Sequence, residues 1–209
     1  LESYECHLFR KLNRLFSKTA IEVCKGQQYD LDFETQSEIT QDEYLEMIRL
    51  KTAVLVGCSL EMGALIGGAN QADSNNLYDF GVLLGIAFQI QDDYLDAYAN
   101  PESFGKQLSG DIIENKKTIL YHQAMENGSS KEKITLRNWF STEVKEKDVS
   151  KKINAVKSLF DKTGASDASK ALVIKYTQAA FEKLDILDTS DNNKIIFKTF
   201  GTNLMERKF

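Results

Sequence analysis

The chain has 209 residues, of which 42% are hydrophobic and 27% charged, a globular composition with enough apolar side chains for one substantial core. Lys and Arg number 26 against 31 Asp and Glu, and this net charge of -5 excludes the basic surface that nucleic-acid binding needs. Cys6, Cys24 and Cys58 lie far apart, which excludes a disulfide framework and a cysteine zinc site.

No segment of the sequence indicates secretion or stable membrane insertion. The most apolar run, residues 52–60, ends at Glu61 and is much shorter than the ~20 residues of a membrane-spanning helix. No signal-peptide pattern opens the chain, so we expect a cytoplasmic protein. The chain starts at Leu1, without methionine and inside a predicted helix, so we expect a further segment upstream.

Apolar residues recur at helical spacing, with one proline and twelve glycines in the whole chain. We therefore predict an all-α fold, a compact bundle of antiparallel helices around a central cavity, as a single domain over residues 1–209. A first helix should stop near Gly26, and an acidic loop should follow. Thr40 and Glu43 form a capping box that opens a second helix, which ends at Gly67 and Gly68.

A third helix is predicted from about Asn76 to Ala99, and Pro101, Gly105 and Gly110 predict a loop after it. Beyond that loop, amphipathic segments alternate with short turns, one of which carries a second capping box. The remaining predicted helices cover 112–126, a segment that starts at the Ser129–Glu132 capping box, 150–162, 168–187 and 193–207.

One polar stripe runs along the third predicted helix, and the rest of that helix is apolar. At ~100° per residue, the stripe occupies a sector of about 100°. Its members are Gln89, Asp92, Asp93 and Asp96. Such a stripe could be a solvated acidic turn, but its apolar surroundings favour carboxylates that line a cleft and require a cation. Because all the ligands are oxygens, magnesium is the favoured cation. Gly81 and Gly85, near the same side, should leave room for a ligand's apolar tail.

Three lysines are candidates for binding a phosphate group, for which lysine serves as a point charge. Lys51 lies inside the apolar second helix, beside Thr52, and must reach either an anion or the surface. Lys106 lies in the glycine-punctuated loop, and Lys116 lies at the start of the following helix. Asp111, between them, could hold a metal-bound water or a lysine.

These motifs resemble those of the trans-isoprenyl diphosphate synthases, such as farnesyl and geranylgeranyl diphosphate synthases. The segment from Phe88 to Asp96 resembles the second aspartate-rich motif of that family. Its other motifs have counterparts in the expected order. They are Gly26-Gln27 with Asp30, Lys51-Thr52-Ala53, Gly105-Lys106, and Gly110-Asp111 through Asn115-Lys116-Lys117-Thr118.

The resemblance implies a prenyltransferase that condenses isopentenyl diphosphate with an allylic diphosphate (dimethylallyl, geranyl or farnesyl), with Mg²⁺ as cofactor and a homodimer as assembly. The product would be a trans short-chain diphosphate of farnesyl or geranylgeranyl type. The implied metal ligands are Asp92, Asp93 and Asp96. The implied diphosphate-binding residues are Lys51, Lys106 and Lys116. Thr52 and Gln89 would direct oxygens at the allylic carbocation, and Gln27 and Asp30 would support that wall.

The family's first aspartate-rich motif is absent from the 209 residues, and we expect it upstream of Leu1. The chain would then be the C-terminal two-thirds of a prenyl synthase, inactive by itself. Three alternatives stay open. The chain could be a non-catalytic regulatory subunit of a heteromeric prenyl synthase, a prenyl-diphosphate binding module, or a class I terpene cyclase.

Overall fold

A computed structural model describes residues 5–99, 109–141 and 145–206. These residues form helices and no strand, which confirms the all-α prediction. The α-helices are α1 (Cys6–Thr35), α2 (Gln41–Ile48), α3 (Val54–Ile66), α4 (Gln71–Tyr98), α5 (Gly110–Ile113), α6 (Ile119–Asn127), α7 (Ser130–Ser141), α8 (Val149–Lys162), α9 (Ala165–Asp185) and α10 (Asp191–Met205). A π-turn (Arg49–Ala53) joins α2 to α3, and a 3₁₀ turn (Glu146–Asp148) precedes α8.

The chain folds as two compact units, each built from separate segments of sequence. Of the described residues, the first unit contains those up to Asp30, Leu45–Gln89 and Ile174–Glu206. The second unit contains Leu31–Tyr44 and the described part of Ile90–Val173. The prediction of one domain over the whole chain stays a prediction.

Each unit has its own buried apolar core. The core of the first unit includes Leu77, Phe80, Leu84, Ala180, Leu184 and Leu187. The core of the second unit includes Ala97, Ile112, Leu120, Tyr121, Ala124, Leu136, Phe140, Val156, Phe160 and Ala165. Within the described ranges, no helix combines the length and the apolar character that crossing a membrane requires.

The predicted end of the first helix near Gly26 is wrong, because α1 continues to Thr35. Gly26 is buried, and a methyl group added there would fall on the backbone nitrogen of Lys51, 2.7 Å from the Leu50 carbonyl carbon. The glycine therefore lets α1 approach the second predicted helix closely, and it does not end a helix.

The proposed role of Gly81 and Gly85 is also wrong. A methyl group on Gly81 would lie 2.7 Å from the Cα atom of Gly57, and one on Gly85 would lie 2.7 Å from the Cα atom of Ala53. The space beside both glycines is filled by the backbone of the neighbouring helix, so it offers no room for a ligand's tail. Small residues on both helices permit this close contact.

Both predicted capping boxes are confirmed. The Thr40 backbone N–H donates to Glu43 Oε2 at 2.7 Å, and the Glu43 N–H donates to Thr40 Oγ1 at 3.2 Å. Ser129 and Glu132 make the equivalent pair of hydrogen bonds at 2.8 and 3.5 Å. Helix α4 begins at Gln71, before the predicted start, because Asn70 Oδ1 accepts the Asp73 N–H at 2.8 Å and caps the helix.

The predicted single helix over 112–126 is instead two helices with a turn between them. Asn115 has a left-handed backbone, with φ of 60°. The Asn115 N–H donates to the Ile112 carbonyl at 3.4 Å, and the Lys116 N–H donates to the Asp111 carbonyl at 2.9 Å. These two bonds form a Schellman motif, which closes α5 and directs the chain towards α6.

Candidate active-site residues

Lys51 and Thr52 lie in the π-turn of the first unit, where the chain carries one residue more than a regular helical turn. Gly26 of α1 approaches the turn at Lys51, and Gly85 of α4 approaches it at Ala53. A short π-helical segment inside a longer helix is frequent at functional sites. No sequence pattern indicates this turn, because its residues have ordinary helix-forming character.

The structure brings together two pairs of predicted site residues in the first unit. Lys51 Nζ lies 2.5 Å from Asp30 Oδ2, so this lysine reaches an anion although its side chain remains 37% exposed. Thr52 Oγ1 donates to Gln89 Oε1 at 3.2 Å. Gln27 lies on α1 and is exposed.

In the second unit, Asp96 is held at the start of α5. Its Oδ1 accepts the backbone N–H of Gly110, and its Oδ2 accepts the backbone N–H of Asp111, both at 3.1 Å. Asp111 Oδ1 lies 3.8 Å from Lys116 Nζ, which also lies 2.8 Å from Glu114 Oε2. The α5 turn therefore joins the aspartate motif to the downstream lysine motif.

Asp92, Asp96 and Asp111 form what we call the acidic cluster, in which the charge of Asp92 disfavours the ionisation of Asp96, and the charges of Asp92 and Asp96 disfavour that of Asp111. Burial raises the pKa of Asp96, although the two backbone N–H groups and Lys116 lower it. Burial, followed by the charge of Asp96, raises the pKa of Asp111 to about 6, and Lys116 offsets this only in part. The negative charge of the cluster is thus incompletely compensated by the protein's own cations.

The two adjacent aspartates of the motif have different environments. Asp93 is 5% exposed, and its Oδ2 accepts hydrogen bonds from the Tyr44 hydroxyl and, at 3.4 Å, from the Ile119 N–H. Asp92 is half-buried, and no described residue makes a hydrogen bond or ion pair with its side chain. Of the two carboxylates, that of Asp92 is the one left available to an external cation.

The acidic cluster fits a magnesium ion by the chemistry of its donors. All its side-chain donors are carboxylate oxygens, and the raised pKa values of Asp96 and Asp111 indicate a shortage of positive charge. Among residues 5–99, 109–141 and 145–206, no group of three or more acidic, cysteine or histidine side chains is placed so that it could hold a metal ion by itself. Magnesium does not need one, because it keeps several waters and binds one or two carboxylates plus substrate phosphates.

Lys106, the other predicted diphosphate ligand, lies outside the described residues.

Two residues near the candidate site were not predicted from the sequence. Tyr44 is 49 residues from Asp93, and no sequence motif indicates their contact. Lys152, which was also missed, is 1% exposed and lies on α8 in line with the buried Val156 and Phe160. A lysine within an apolar stripe of four-residue spacing was the available signal.

Residues 2–158 match the family model described as polyprenyl synthetase. The chain belongs to the polyprenyl synthetase family. It is 35% identical over 173 residues to a short chain isoprenyl diphosphate synthase of Methanothermobacter thermautotrophicus, covering 83% of this chain and 52% of that protein. It is 38% identical over 173 residues to a geranylgeranyl diphosphate synthase of Methanosarcina mazei, covering 83% of this chain and 51% of that protein.

The fold is also that of solved polyprenyl synthetases. A crystal structure of a geranylgeranyl pyrophosphate synthase is 43% identical and superimposes with a TM-score of 0.93, covering 100% of this chain and 64% of that one. The geranylgeranyl pyrophosphate synthetase from Pyrococcus horikoshii is 30% identical with a TM-score of 0.88, covering 98% and 61%. The chain spans about half the length of the curated relatives that it matches.

Proposed function

We propose that this chain is the part of a trans-prenyltransferase that carries the second aspartate-rich motif. The reaction condenses isopentenyl diphosphate with dimethylallyl, geranyl or farnesyl diphosphate and gives a trans short-chain isoprenyl diphosphate of farnesyl or geranylgeranyl type. The relatives' names support this class of reaction. The family resemblance supports a cytoplasmic homodimer as the working form.

The observation that carries the proposal is the arrangement around α5. Asp96 binds the start of this turn through two backbone N–H groups, and the same turn carries Asp111 and leads to Lys116. Carboxylates with uncompensated charge and a lysine on one short turn are suited to a diphosphate that arrives with a divalent cation. Half-buried carboxylates of like charge do not stabilise a helix, so folding alone does not account for them.

The condensation breaks the C–O bond of the allylic diphosphate and leaves an allylic carbocation. The double bond of isopentenyl diphosphate then attacks this cation, and a proton is lost to form the new trans double bond. Two kinds of charge must be stabilised during these steps: the negative charge of the leaving diphosphate and the positive charge of the cation.

The chain's own residues divide these tasks. Lys116, Lys106 and Lys51 bind the diphosphate as point charges, and Asp30 orients Lys51 through their 2.5 Å contact. Thr52 donates its hydroxyl hydrogen to Gln89, so the lone pairs of Thr52 Oγ1 remain available to the carbocation. The family resemblance assigns Gln27 on α1 to the same wall.

Asp92 and Asp96 would hold magnesium, with Asp93 as the buried carboxylate that orients the motif. Magnesium, when bound, supplies the positive charge that makes diphosphate a good leaving group. Asp111 holds the Lys116 side chain nearby, with 3.8 Å between Asp111 Oδ1 and Lys116 Nζ. Exclusion of water by the apolar residues around the motif protects the carbocation.

Product analysis tests the proposal against its alternatives. The full protein is incubated with labelled isopentenyl diphosphate and each allylic diphosphate in turn, in magnesium-containing buffer. A trans-prenyltransferase releases a diphosphate that is five or more carbons longer. A cyclised hydrocarbon would indicate a class I terpene cyclase instead. Product only in the presence of a second subunit would indicate a regulatory or binding role.

The sharpest single variant is Asp92→Ala. We expect condensation to fall by about a hundredfold or more, because the loss of a preorganised charge at the leaving group raises the barrier by several kcal/mol. Far-UV circular dichroism should be unchanged, since no described residue depends on the Asp92 side chain for a hydrogen bond. The matched control is Asp167→Ala, whose carboxylate is 89% exposed. Wild-type turnover in Asp92→Ala would remove Asp92 from the proposed site.

A further inference from the structure

Lys152 on α8 is a buried ammonium group without a carboxylate partner among the described residues. Its exposed fraction is 1%, and its Nζ donates to Asn115 Oδ1 at 2.6 Å and to the Ile113 carbonyl at 3.2 Å. The ring centroid of Phe140 lies 5.9 Å from the same nitrogen. The ammonium is thus surrounded by neutral groups.

This arrangement is a poor means of stabilising a fold. Removal of a positive charge from water costs several kcal/mol, and burial lowers the pKa of Lys152. Replacement of buried charged groups by well-packed apolar side chains of similar volume is often neutral or stabilising. The buried charge therefore requires an explanation beyond packing.

The two groups that Lys152 binds both belong to the Schellman motif at the end of α5. Ile113 is the last residue of that helix, and Asn115 is the left-handed residue of the motif. An amide side chain that accepts a hydrogen bond from a buried lysine has its rotamer restricted, and a carbonyl at a helix end gains the partner that it otherwise lacks. Lys152 therefore fixes the geometry of this turn.

The turn has a candidate diphosphate ligand directly after it. Lys116 follows Asn115, and its N–H completes the Schellman motif by donating to the Asp111 carbonyl at 2.9 Å. At the other end of α5, the backbone of Gly110 and Asp111 holds the Asp96 carboxylate. A change in the turn at Asn115 would therefore move Lys116 with respect to the acidic cluster.

We propose that Lys152 is a positioning residue, which places the ammonium of Lys116 for an incoming diphosphate by clamping Asn115 and the end of α5. This inference rests on the proposed function, because it needs Lys116 to bind a diphosphate. Lys152 itself is too deeply buried to touch the substrate.

The test measures the binding of dimethylallyl diphosphate to the full protein by calorimetry in magnesium-containing buffer. In Lys152→Met, the Kd should rise about tenfold, as for other residues that orient a ligand-binding group. The thermal unfolding temperature should be equal to or higher than that of the wild type, since a buried charge is lost. Lys151→Met, at an exposed position on the same helix, is the matched control and should keep the wild-type Kd.

A second comparison separates positioning from a general structural effect. In a Lys116→Ala background, Lys152→Met should cause no further change in Kd, because its effect passes through Lys116. Asn115→Gly tolerates the left-handed backbone and removes Oδ1, so it should weaken binding to the same extent, and it decides the matter if Lys152→Met does not fold.

The outcomes distinguish the inference from the function on which it rests. Wild-type protein that does not bind dimethylallyl diphosphate contradicts the proposed function and removes the inference with it. Wild-type protein that binds, together with an unchanged Kd in Lys152→Met, overturns the inference alone. An additive loss in the Lys116→Ala background also overturns it, since Lys152 would then act through another group.

Discussion

In the first unit, close packing at glycines sets the backbone position of the π-turn and side-chain hydrogen bonds add to it, whereas the contacts described in the second unit are mainly hydrogen bonds. The π-turn is approached at backbone distance by Gly26 and Gly85, and its Lys51 and Thr52 bind Asp30 and Gln89. The candidate residues of the second unit are held mainly by one kind of contact, the hydrogen bond. Its examples are Tyr44 with Asp93, the α5 backbone with Asp96, and Lys152 with Asn115.

This difference predicts how the candidate residues of each unit should respond to substitution, pH and salt. Close backbone packing tolerates no added volume but is insensitive to pH and salt. Buried hydrogen bonds and charges tolerate small changes of shape but respond to protonation. Three stability experiments on the full protein can break or sharpen the comparison.

The largest effect is expected for Gly26→Ala. The added methyl would meet backbone atoms of Lys51 and Leu50, which cannot move as a side chain can, so the free energy of unfolding should fall by about 3 kcal/mol. Gly63→Ala is the matched control. No atom lies within 4 Å of its added methyl, so the helix propensity of alanine should stabilise the protein by up to about 1 kcal/mol.

Urea unfolding of both glycine variants provides the measurement. Equal stability of Gly26→Ala and the wild type would mean that the α1 backbone can retreat from the π-turn. This would contradict the conclusion that close backbone packing sets the position of the π-turn in the first unit.

A smaller and pH-dependent effect is expected from His122 in the second unit. This side chain is 6% exposed, and its Nε2 is buried with no hydrogen-bond partner among the described residues. Burial lowers its pKa from 6.5 to about 4. A hydrogen bond with the Lys117 backbone opposes this shift, the charge of Lys117 adds to it, and that of Glu43 opposes it. The unfolded state therefore binds the proton first as the pH falls, so stability is complete above pH 6.5 and declines towards pH 4.

The loss of unfolding free energy attributable to His122 should reach about 2 kcal/mol. This is less than the full difference between the folded and unfolded pKa values implies, because neighbouring groups compensate part of it. The loss is measured as the difference between the pH profiles of wild type and His122→Gln. His7→Gln, at an exposed histidine, should leave the profile unchanged. Parallel profiles for His122→Gln and the wild type would show that His122 titrates normally.

The smallest effect is expected for Lys183→Met in the first unit. Lys183 Nζ lies 2.9 Å from Asp79 Oδ2, but the two side chains are 36% and 47% exposed. A solvent-exposed ion pair contributes less than about 1 kcal/mol, so urea unfolding should barely change, as for Lys175→Met on the same helix. A loss of 2 kcal/mol or more, on the order of a buried network, would contradict the view that packing dominates the first unit.

Local patterns predicted much of this molecule correctly. The capping boxes at Thr40 and Ser129 were predictable because donor and acceptor are three residues apart. The helix with the polar stripe was predictable because its periodicity lies within one segment of sequence. Helix α4 contains this segment. The family resemblance depended on the same short motifs.

Contacts between distant residues account for the errors. A glycine such as Gly26 can either end a helix or permit a neighbouring helix to pack closely. Only the position of Lys51 in the fold distinguishes these two roles. Asn115 is compatible with a helix, and its left-handed turn depends in part on Lys152, which is 37 residues away. No local rule of propensity contains such information.

The π-turn makes the candidate site sensitive to the length of the chain rather than to its composition alone. A π-helical turn takes up one extra residue, so the helix after it keeps its phase with the helix before it. Deletion of a single residue within Arg49–Ala53 would return the segment to regular helical spacing, and the side chains of Lys51 and Thr52 would change direction. Within the family, a one-residue gap at this point would therefore mark a protein whose lysine–threonine pair faces a different direction, even where both letters are retained.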